Sequence, residues 1–389
     1  MNAVSSPGTQ AAQSPGEARG APAFARACVT RNWYVACWSV DLGSAPLGRL
    51  VCGRRLALFR DSGGTARAID ATCPHRGADL ALGKVEGDSI SCPFHGISFD
   101  GCGRCTRVPS QSADDPIPAR LRTTAYPVRE LGGLVWIWPD SESEPGFEPR
   151  VPGFLSLPAP WRGLLSRSRL CTGSYLNSLE NALDDSHLAF IHTATIPGAP
   201  EQVAKYRITV AADRRSFFGE AEVEALPASD AGKPRPKSGL GAGSIVHDML
   251  ERFAFERLVQ TVRRVDYDIS GLVCYTVDYA GGRRDHTFAF FTPADEERTW
   301  MTGGIVRNHS LNRLADRFLN LFMDNLMGED VGAMNLLVPE ARGPGGLSPP
   351  FIVPADRASV RFRRMYGEAL RAEGKTPPWI MDSAAADAA

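Results

Sequence analysis

Two pairs of metal-ligating side chains stand close together near the start of the chain. Cys73 and His75 form a C-x-H pair within "CPHRGADL", and across a gap of sixteen residues Cys92 and His95 form a C-x-x-H pair within "CPFHGISFDGCGRC". Thiolates suit zinc or iron–sulfur clusters, and imidazole suits zinc or iron. A Pro follows each Cys and a Gly soon follows each His. Such small and rigid residues let the backbone approach a buried inorganic centre and donate N–H groups to its sulfurs. A structural zinc ion held by all four side chains is one reading. Zinc knuckles, however, commonly use C-x-x-C or H-x-x-x-H pairs. Mixed pairs also allow the two cysteines to hold one iron and the two histidines another.

A second constellation lies about ninety residues on. In "ENALDDSHLAFIH", Asp184, His187 and His192 are spaced D-x-x-H-x4-H, and four of the seven histidines of the chain fall in these two clusters. On a regular helix a separation of five turns a side chain about 140° beyond a full turn. The two histidines therefore meet at one metal only if the helix ends or loosens between them. With a carboxylate from elsewhere they would form a facial triad that leaves metal positions open for dioxygen and substrate. Asp330 in "MGEDVG" is the first candidate, with Glu329 and Asp324 as alternatives. His247, His286 and His309 sit in polar settings and read by default as solvated or hydrogen-bonded surface histidines. His247, beside a variable loop, could also reach a substrate.

The elements that must carry these residues divide the chain in two. Residues 1–27 are rich in Ala, Gly, Ser, Pro and Gln and lack an apolar core, so a flexible tail is expected rather than a signal peptide. Residues 28–140 hold short β-type runs between turns. Among them "RRLALFR" and "ARAID" flank Asp61-Ser62-Gly63-Gly64 as a hairpin. The acidic, Pro/Gly-rich stretch 141–164 reads as a linker, and 165–389 as a second domain. There "GSYLNSLENALDDSHLAFIH" predicts a helix with Leu176, Leu179, Leu183 and Phe190 on one face. Closely spaced β-runs follow and predict an antiparallel sheet. "SLNRLADRFLNLFMDNLMGED" predicts a second long helix, capped by Ser310, with Leu311, Leu314, Phe318 and Phe322 on its face. "ADRASVRFRRMYGEALRAE" predicts a closing helix.

Composition narrows the function classes. A chain of 389 residues, 43% hydrophobic and 22% charged with a formal net charge of -1, is an ordinary globular protein with no basic excess that would favour nucleic acid. No apolar run approaches the roughly 18 residues of a spanning helix, so a cytoplasmic location is expected. Nine cysteines, an odd number, argue for reduced thiols and metal binding over a disulfide framework. Cys102 and Cys105 form a C-x-x-C, which is weak evidence for redox chemistry without a βαβ context.

"CPHRGADL" and "CPFHGISFDGCGRC" closely resemble the two cluster-binding loops of the Rieske family. That resemblance implies a [2Fe-2S] centre held by Cys73, His75, Cys92 and His95, whose histidines raise its potential. The pattern D-x-x-H-x4-H with a later Glu-Asp pair resembles the Rieske non-haem iron oxygenases. The closest likeness is to their monooxygenase and demethylase branch, which includes vanillate O-demethylase, aminopyrrolnitrin oxygenase and saxitoxin-pathway hydroxylases. The resemblance spans about residues 30 to 370. It implies an α+β chain in which an all-β Rieske domain precedes a helix-grip-like catalytic domain, an antiparallel sheet with packed long helices. Mononuclear Fe(II) would be held by His187, His192 and Asp330, supported by Asn181. It further implies a homotrimer in which Asp184 bonds His187 of its own chain and His95 of the neighbour, coupling the two centres. Family members often carry Gln or Glu after the triad carboxylate, where this chain has "AMNLLVP".

The expected activity is O2- and NAD(P)H-dependent monooxygenation of an aromatic or polycyclic small molecule, as hydroxylation or oxidative demethylation. N-oxygenation of an arylamine, an electron carrier without oxygenase activity, and a zinc-stabilised binding module are the alternatives. No G-x-G-x-x-G stands between a strand and a helix. Electrons are therefore expected from a separate reductase, with or without a ferredoxin.

Overall fold

The structure, a computed structural model, describes residues 24, 27–112, 114–196, 205–222, 260–338 and 353–378. His247 and the variable loop at 228–245 lie outside them. The first half is built from eleven short strands. These are β1 (Tyr34–Trp38), β2 (Leu47–Val51), β3 (Arg54–Arg60), β4 (Ala66–Asp70), β5 (Lys84–Glu86), β6 (Ser89–Ser91), β7 (Ser98–Asp100), β8 (Cys105–Arg107), β9 (Ala125–Tyr126), β10 (Val128–Leu131) and β11 (Leu134–Ile137). They form three small sheets, β1-β11-β10, β2-β3-β4-β9 and β5-β6-β7-β8. The β3–β4 hairpin turns as its sequence requires. Gly64 takes φ +80° and donates to Asp61 O at 2.8 Å, and the Asp61 carboxylate accepts from Thr65 N.

The second half is organised by one antiparallel sheet, eight-stranded among the described residues, in the order β12-β19-β18-β17-β16-β15-β14 with β13 also on β19. Its strands are β12 (Arg162–Leu165), β13 (Arg169–Thr172), β14 (Arg207–Val210), β15 (Ser216–Glu222), β16 (Gln260–Asp268), β17 (Leu272–Tyr279), β18 (Arg283–Pro293) and β19 (Arg298–Arg307). Both faces are covered, and strand alternation sorts their side chains. Ala289 and Phe291 of β18 face helices α1 (Tyr175–Leu183) and α4 (Arg357–Ala372), packing with Leu176, Leu179, Phe362 and Tyr366. Phe288 and Phe290 face the opposite way, onto Trp33, Trp136 and Trp138 of the first half. Trp136 meets Phe290 edge-on at 5.4 Å. Burial of each phenylalanine contributes roughly 1.5–3 kcal/mol. The first half is thus the outer layer of the eight-stranded sheet. Phe24, within the expected tail, is buried in the core on the α1 and α4 side.

Two helix expectations need correction. The helix at 175 does not run on to Phe190. It ends at Leu183, Asp184 is extended, and one separate turn, α2 (Leu188–Ile191), follows. Phe190 is consequently 65% exposed and off the buried face. The second long helix, α3 (Arg313–Met334), is capped by the side chain of Asn312, which accepts from Ala315 N. Ser310 cannot serve, since it adopts φ +51° outside the helix. The buried stripe is Ala315, Leu319, Met323 and Met327, while Leu314 is exposed. Apolar residues surround much of this helix, so periodicity alone selected a face about one residue out of phase.

Candidate metal centres and active site

The four N-terminal donors lie on two loops of the same design. Cys73 N–H bonds Ala78 O and Cys92 N–H bonds Ile97 O. Gly77 N–H returns to Cys73 O at 2.9 Å and Gly96 N–H to Cys92 O at 3.0 Å, each glycine at positive φ. Both cysteines are buried and lie beside each other. Both histidines are exposed, their rings 4.7 Å apart. Burial pushes the Cys73 thiol up to about 11, the backbone N–H groups of His75 and Arg76 oppose this, and the Cys92 thiol adds to it. Those N–H groups already face the sulfur, as a sulfur-bridged cluster requires.

The four donors do not converge on one ion. Among the described residues, His187, His192 and Asp330 form the group of three or more such ligands whose atoms all lie within 4.8 Å of one another. Four donors around one zinc at about 2.0–2.3 Å would meet that condition too. An inner thiol pair and an outer imidazole pair fit a two-iron centre better than a single zinc.

The second group is assembled by the break between α1 and α2. His187 precedes the single turn of α2 and His192 follows it, so the histidines approach from its two ends. Their Nε2 atoms are 3.1 Å apart, and Asp330 Oδ1 is 3.5 Å from His187 Nε2 and 3.2 Å from His192 Nε2. Donors at right angles on bonds of about 2.1 Å lie about 3.0 Å apart, so three neighbouring positions of an octahedral metal fit here. Side-chain exposure is 2% for His192, 14% for His187 and 29% for Asp330. The accessible side of the site is therefore toward Asp330.

Asn181 Nδ2 donates to Asp330 Oδ1 at 2.8 Å, so the expected supporting residue touches the carboxylate directly. Burial tends to raise the Asp330 carboxyl, but hydrogen bonds from His187, His192 and Asn181 outweigh it and hold the group at about 2. Burial likewise tends to lower His192, but Asp330 and Glu329 outweigh it and raise the imidazole above its ordinary value.

The alternative carboxylates are placed elsewhere. Glu329 Oε2 lies 2.8 Å from His192 Nδ1 and accepts from Thr195 Oγ1, which leaves His192 Nε2 directed at the other donors. Asp324 is exposed and pairs with Arg169. Asp184 does not bond His187 within the chain: its two carboxylate oxygens accept from Ser186 N and Ser186 Oγ at 2.8 and 2.7 Å. His187 Nδ1 is buried with no partner among the described residues. Sequence reasoning missed the Glu329–Thr195 pair, whose only signal was an acidic residue beside the candidate ligand.

A small cavity of about 30 Å³ adjoins Asp330, lined also by Asn181, Ser178, Cys171 and Thr299. The larger cleft, about 500 Å³, lies on the tryptophan side of the sheet near Trp38, Phe154 and Trp161 and includes none of the donors. His286 is half-buried there between Phe154 and Trp161, and burial lowers it to about 4. His309 is buried beside Asp285. Neither is the surface histidine expected. Cys102 is exposed and Cys105 half-buried, and none of the nine cysteines is in a disulfide.

Comparison with known proteins agrees with this division of labour. Residues 32–127 match the Rieske [2Fe-2S] domain, and residues 172–372 match the vanillate O-demethylase oxygenase C-terminal domain. The oxygenase component of dicamba O-demethylase from Stenotrophomonas maltophilia is 31% identical over 208 residues, 53% of this chain and 58% of that protein. The oxygenase component of chloroacetanilide N-alkylformylase from Rhizorhabdus wittichii is 27% identical over 351 residues, 88% of this chain and 96% of that protein. Against two of the curated relatives the match spans only 37% and 58% of the relative's length. The crystal structure of dicamba monooxygenase bound to 3,6-dichlorosalicylic acid shares the fold with a TM-score of 0.71 at 22% identity, over 89% of this chain and 98% of that one. With a Rieske domain at its head and a vanillate O-demethylase-type domain over more than half its length, the chain belongs to the Rieske non-haem iron oxygenases, which pair a [2Fe-2S] cluster with a mononuclear iron.

Proposed function

We propose that this chain is the oxygenase component of a multicomponent system that inserts one atom of dioxygen into an aromatic or polycyclic small molecule, by hydroxylation or oxidative demethylation. The observation that carries the reading is the convergence of His187, His192 and Asp330 in a chain that also holds the Cys73, His75, Cys92 and His95 set. The cluster supplies electrons one at a time, and the iron, with open positions, supplies dioxygen activation. The residues of the chain prepare that chemistry. Glu329 holds His192 in the tautomer that presents Nε2, Asn181 steadies Asp330, and the three hydrogen bonds to Asp330 keep its carboxylate ionised. Relatives named dicamba O-demethylase and chloroacetanilide N-alkylformylase support an aromatic substrate.

The division into a cluster domain at 28–140, a linker at 141–164 and a catalytic domain at 165–389 belongs to this reading, as do a cytoplasmic location and a separate NAD(P)H reductase or ferredoxin. Among the described residues no helix is long and apolar enough to cross a membrane. A homotrimer belongs to it as well. Among the described residues His187 Nδ1 lacks a partner, while His75 and His95 stand exposed with the exposed Phe94 ring 4.0 Å from that of His95. An exposed donor pair with an exposed apolar ring against it suits cover by a second subunit. There Asp184 would exchange Ser186 for the two histidines and couple the centres.

Iron and sulfide counts test the assignment. The protein should carry about three irons and two sulfides per chain, and His187→Ala should lose one iron while keeping the visible absorbance. A count of two irons in the unaltered protein would leave an electron carrier without oxygenase activity. Screening aromatic compounds for coupled NADH and oxygen consumption then identifies the substrate.

A further inference from the structure

Asp185 lies between Asp184 and the ligand His187, yet it is buried and turned away from both donor sets. Its Oδ2 accepts from the Tyr206 hydroxyl at 2.7 Å, and its Oδ1 accepts from Arg263 of β16 at 3.1 Å. The Arg263 guanidinium sits 4.8 Å from the centre of the Tyr275 ring on β17. The Tyr275 hydroxyl in turn donates to Ala182 O at 2.8 Å. Ala182 O is one of the last carbonyls of α1, which have no partner within the helix. The sheet therefore grips the chain on both sides of the helix break, at Ala182 before it and at Asp185 after it.

This arrangement is a costly way to end a helix. Removing a carboxylate and a guanidinium from water can cost more than their attraction returns, and packed apolar residues often close such a gap as stably. Arg263 Nε is moreover buried without a hydrogen-bond partner among the described residues. What the ion pair adds is a defined direction for the turn that follows. The break at Asp184 precedes both histidines, which stand at the two ends of the α2 turn, so where residues 184–187 are held sets the direction of that turn and where the histidine pair meets Asp330 of α3.

We infer that Asp185 is a positioning residue for the mononuclear iron site: anchored by Arg263 and Tyr206, it fixes the turn that carries His187 and His192 to Asp330. The inference rests on the reading of those three as the iron ligands. It is tested by removing the mononuclear iron from the full-length protein with a chelator and titrating Fe(II) back by equilibrium dialysis, with cluster absorbance as an internal control. The unaltered protein should rebind one Fe(II) per chain, and failure to do so overturns the triad and this inference together. Asp185→Asn should bind Fe(II) about 10- to 100-fold more weakly with the cluster spectrum unchanged, and Tyr206→Phe should show a smaller loss in the same direction. If the first variant does not fold, Tyr206→Phe decides the matter. The double variant Asp185→Asn/Arg263→Gln, which leaves no lone buried charge, should regain thermal stability without regaining iron affinity. Binding within twofold of the unaltered protein in the variants that fold, or full recovery of affinity in the double variant, overturns the inference while leaving the triad intact.

Discussion

Asp330 and His192 are neighbours whose ionisations are pushed in opposite directions by the same contact. The Asp330 carboxylate, held at about 2 once its hydrogen bonds outweigh burial, contributes stability present above its ordinary value near 3.8 and lost as pH falls toward 2. This lies well below working pH. His192, raised by Asp330 and Glu329 against the effect of burial, contributes stability to the metal-free chain below its ordinary value near 6.5. That contribution is lost as pH rises through the higher folded value. Iron must displace the His192 proton, so Fe(II) affinity should weaken with acidity, by up to about tenfold per pH unit below the folded value. Dialysis titrations between about pH 6 and 8 read this directly, and a flat profile would show that no His192 proton is released. Spacing made the histidines legible and Asp330 was the first candidate beside them, but the role of Glu329 behind His192 was not legible. Adjacent residues on a helix point about 100° apart, and only the rotation of α3 decides which faces the histidines and which backs His192.

At the scale of elements, the two cluster loops and the α1–α2 break illustrate what spacing can and cannot convey. The loops were readable because each is local: a cysteine, a proline, a histidine and a glycine whose positive φ closes a five-residue turn. Gly77 has φ +74° with open space beside its Cα, whereas a Cβ on Gly96 at φ +68° would also meet Pro109 Cγ at 3.1 Å. Gly77→Ala should therefore cost about 1–2 kcal/mol of backbone strain, and Gly96→Ala more. The half-life of the visible absorbance at raised temperature should shorten in the order unaltered, Gly77→Ala, Gly96→Ala, and equal half-lives for the two variants would contradict this. The helix break was less legible. Leu176, Leu179 and Leu183 share a face that Phe190 would continue, and the contacts that end the helix come from Arg263 and Tyr275, some eighty to ninety residues away. Local periodicity carries no trace of such partners.

At the scale of the molecule, the proposed trimer, which would join the cluster of one subunit to the iron of the next, predicts complementation. Coexpressed chains carrying His95→Ala and His187→Ala, each inactive alone, should form mixed oligomers with partial substrate-dependent NADH oxidation, because some interfaces pair an intact cluster with an intact iron site. Mixed oligomers without any activity would place the electron path within one chain. The change of pattern near residue 165 is what suggests the proposed division of the chain. The depth of the contact between the domains was not legible, because a tryptophan in a short strand reads the same whether it faces its own core or another domain. Trp33, Trp136 and Trp138 pack against Phe288 and Phe290, and the turn at Cys52 and Gly53 donates backbone hydrogen bonds to Pro293 O and Ala294 O at 2.7 Å. The chain cut at its linker would bare an apolar wall on each fragment. The cluster domain is thus a fixture of its catalytic sheet and not an interchangeable cartridge, and chimaeras that import a foreign Rieske domain must import the tryptophan wall with it.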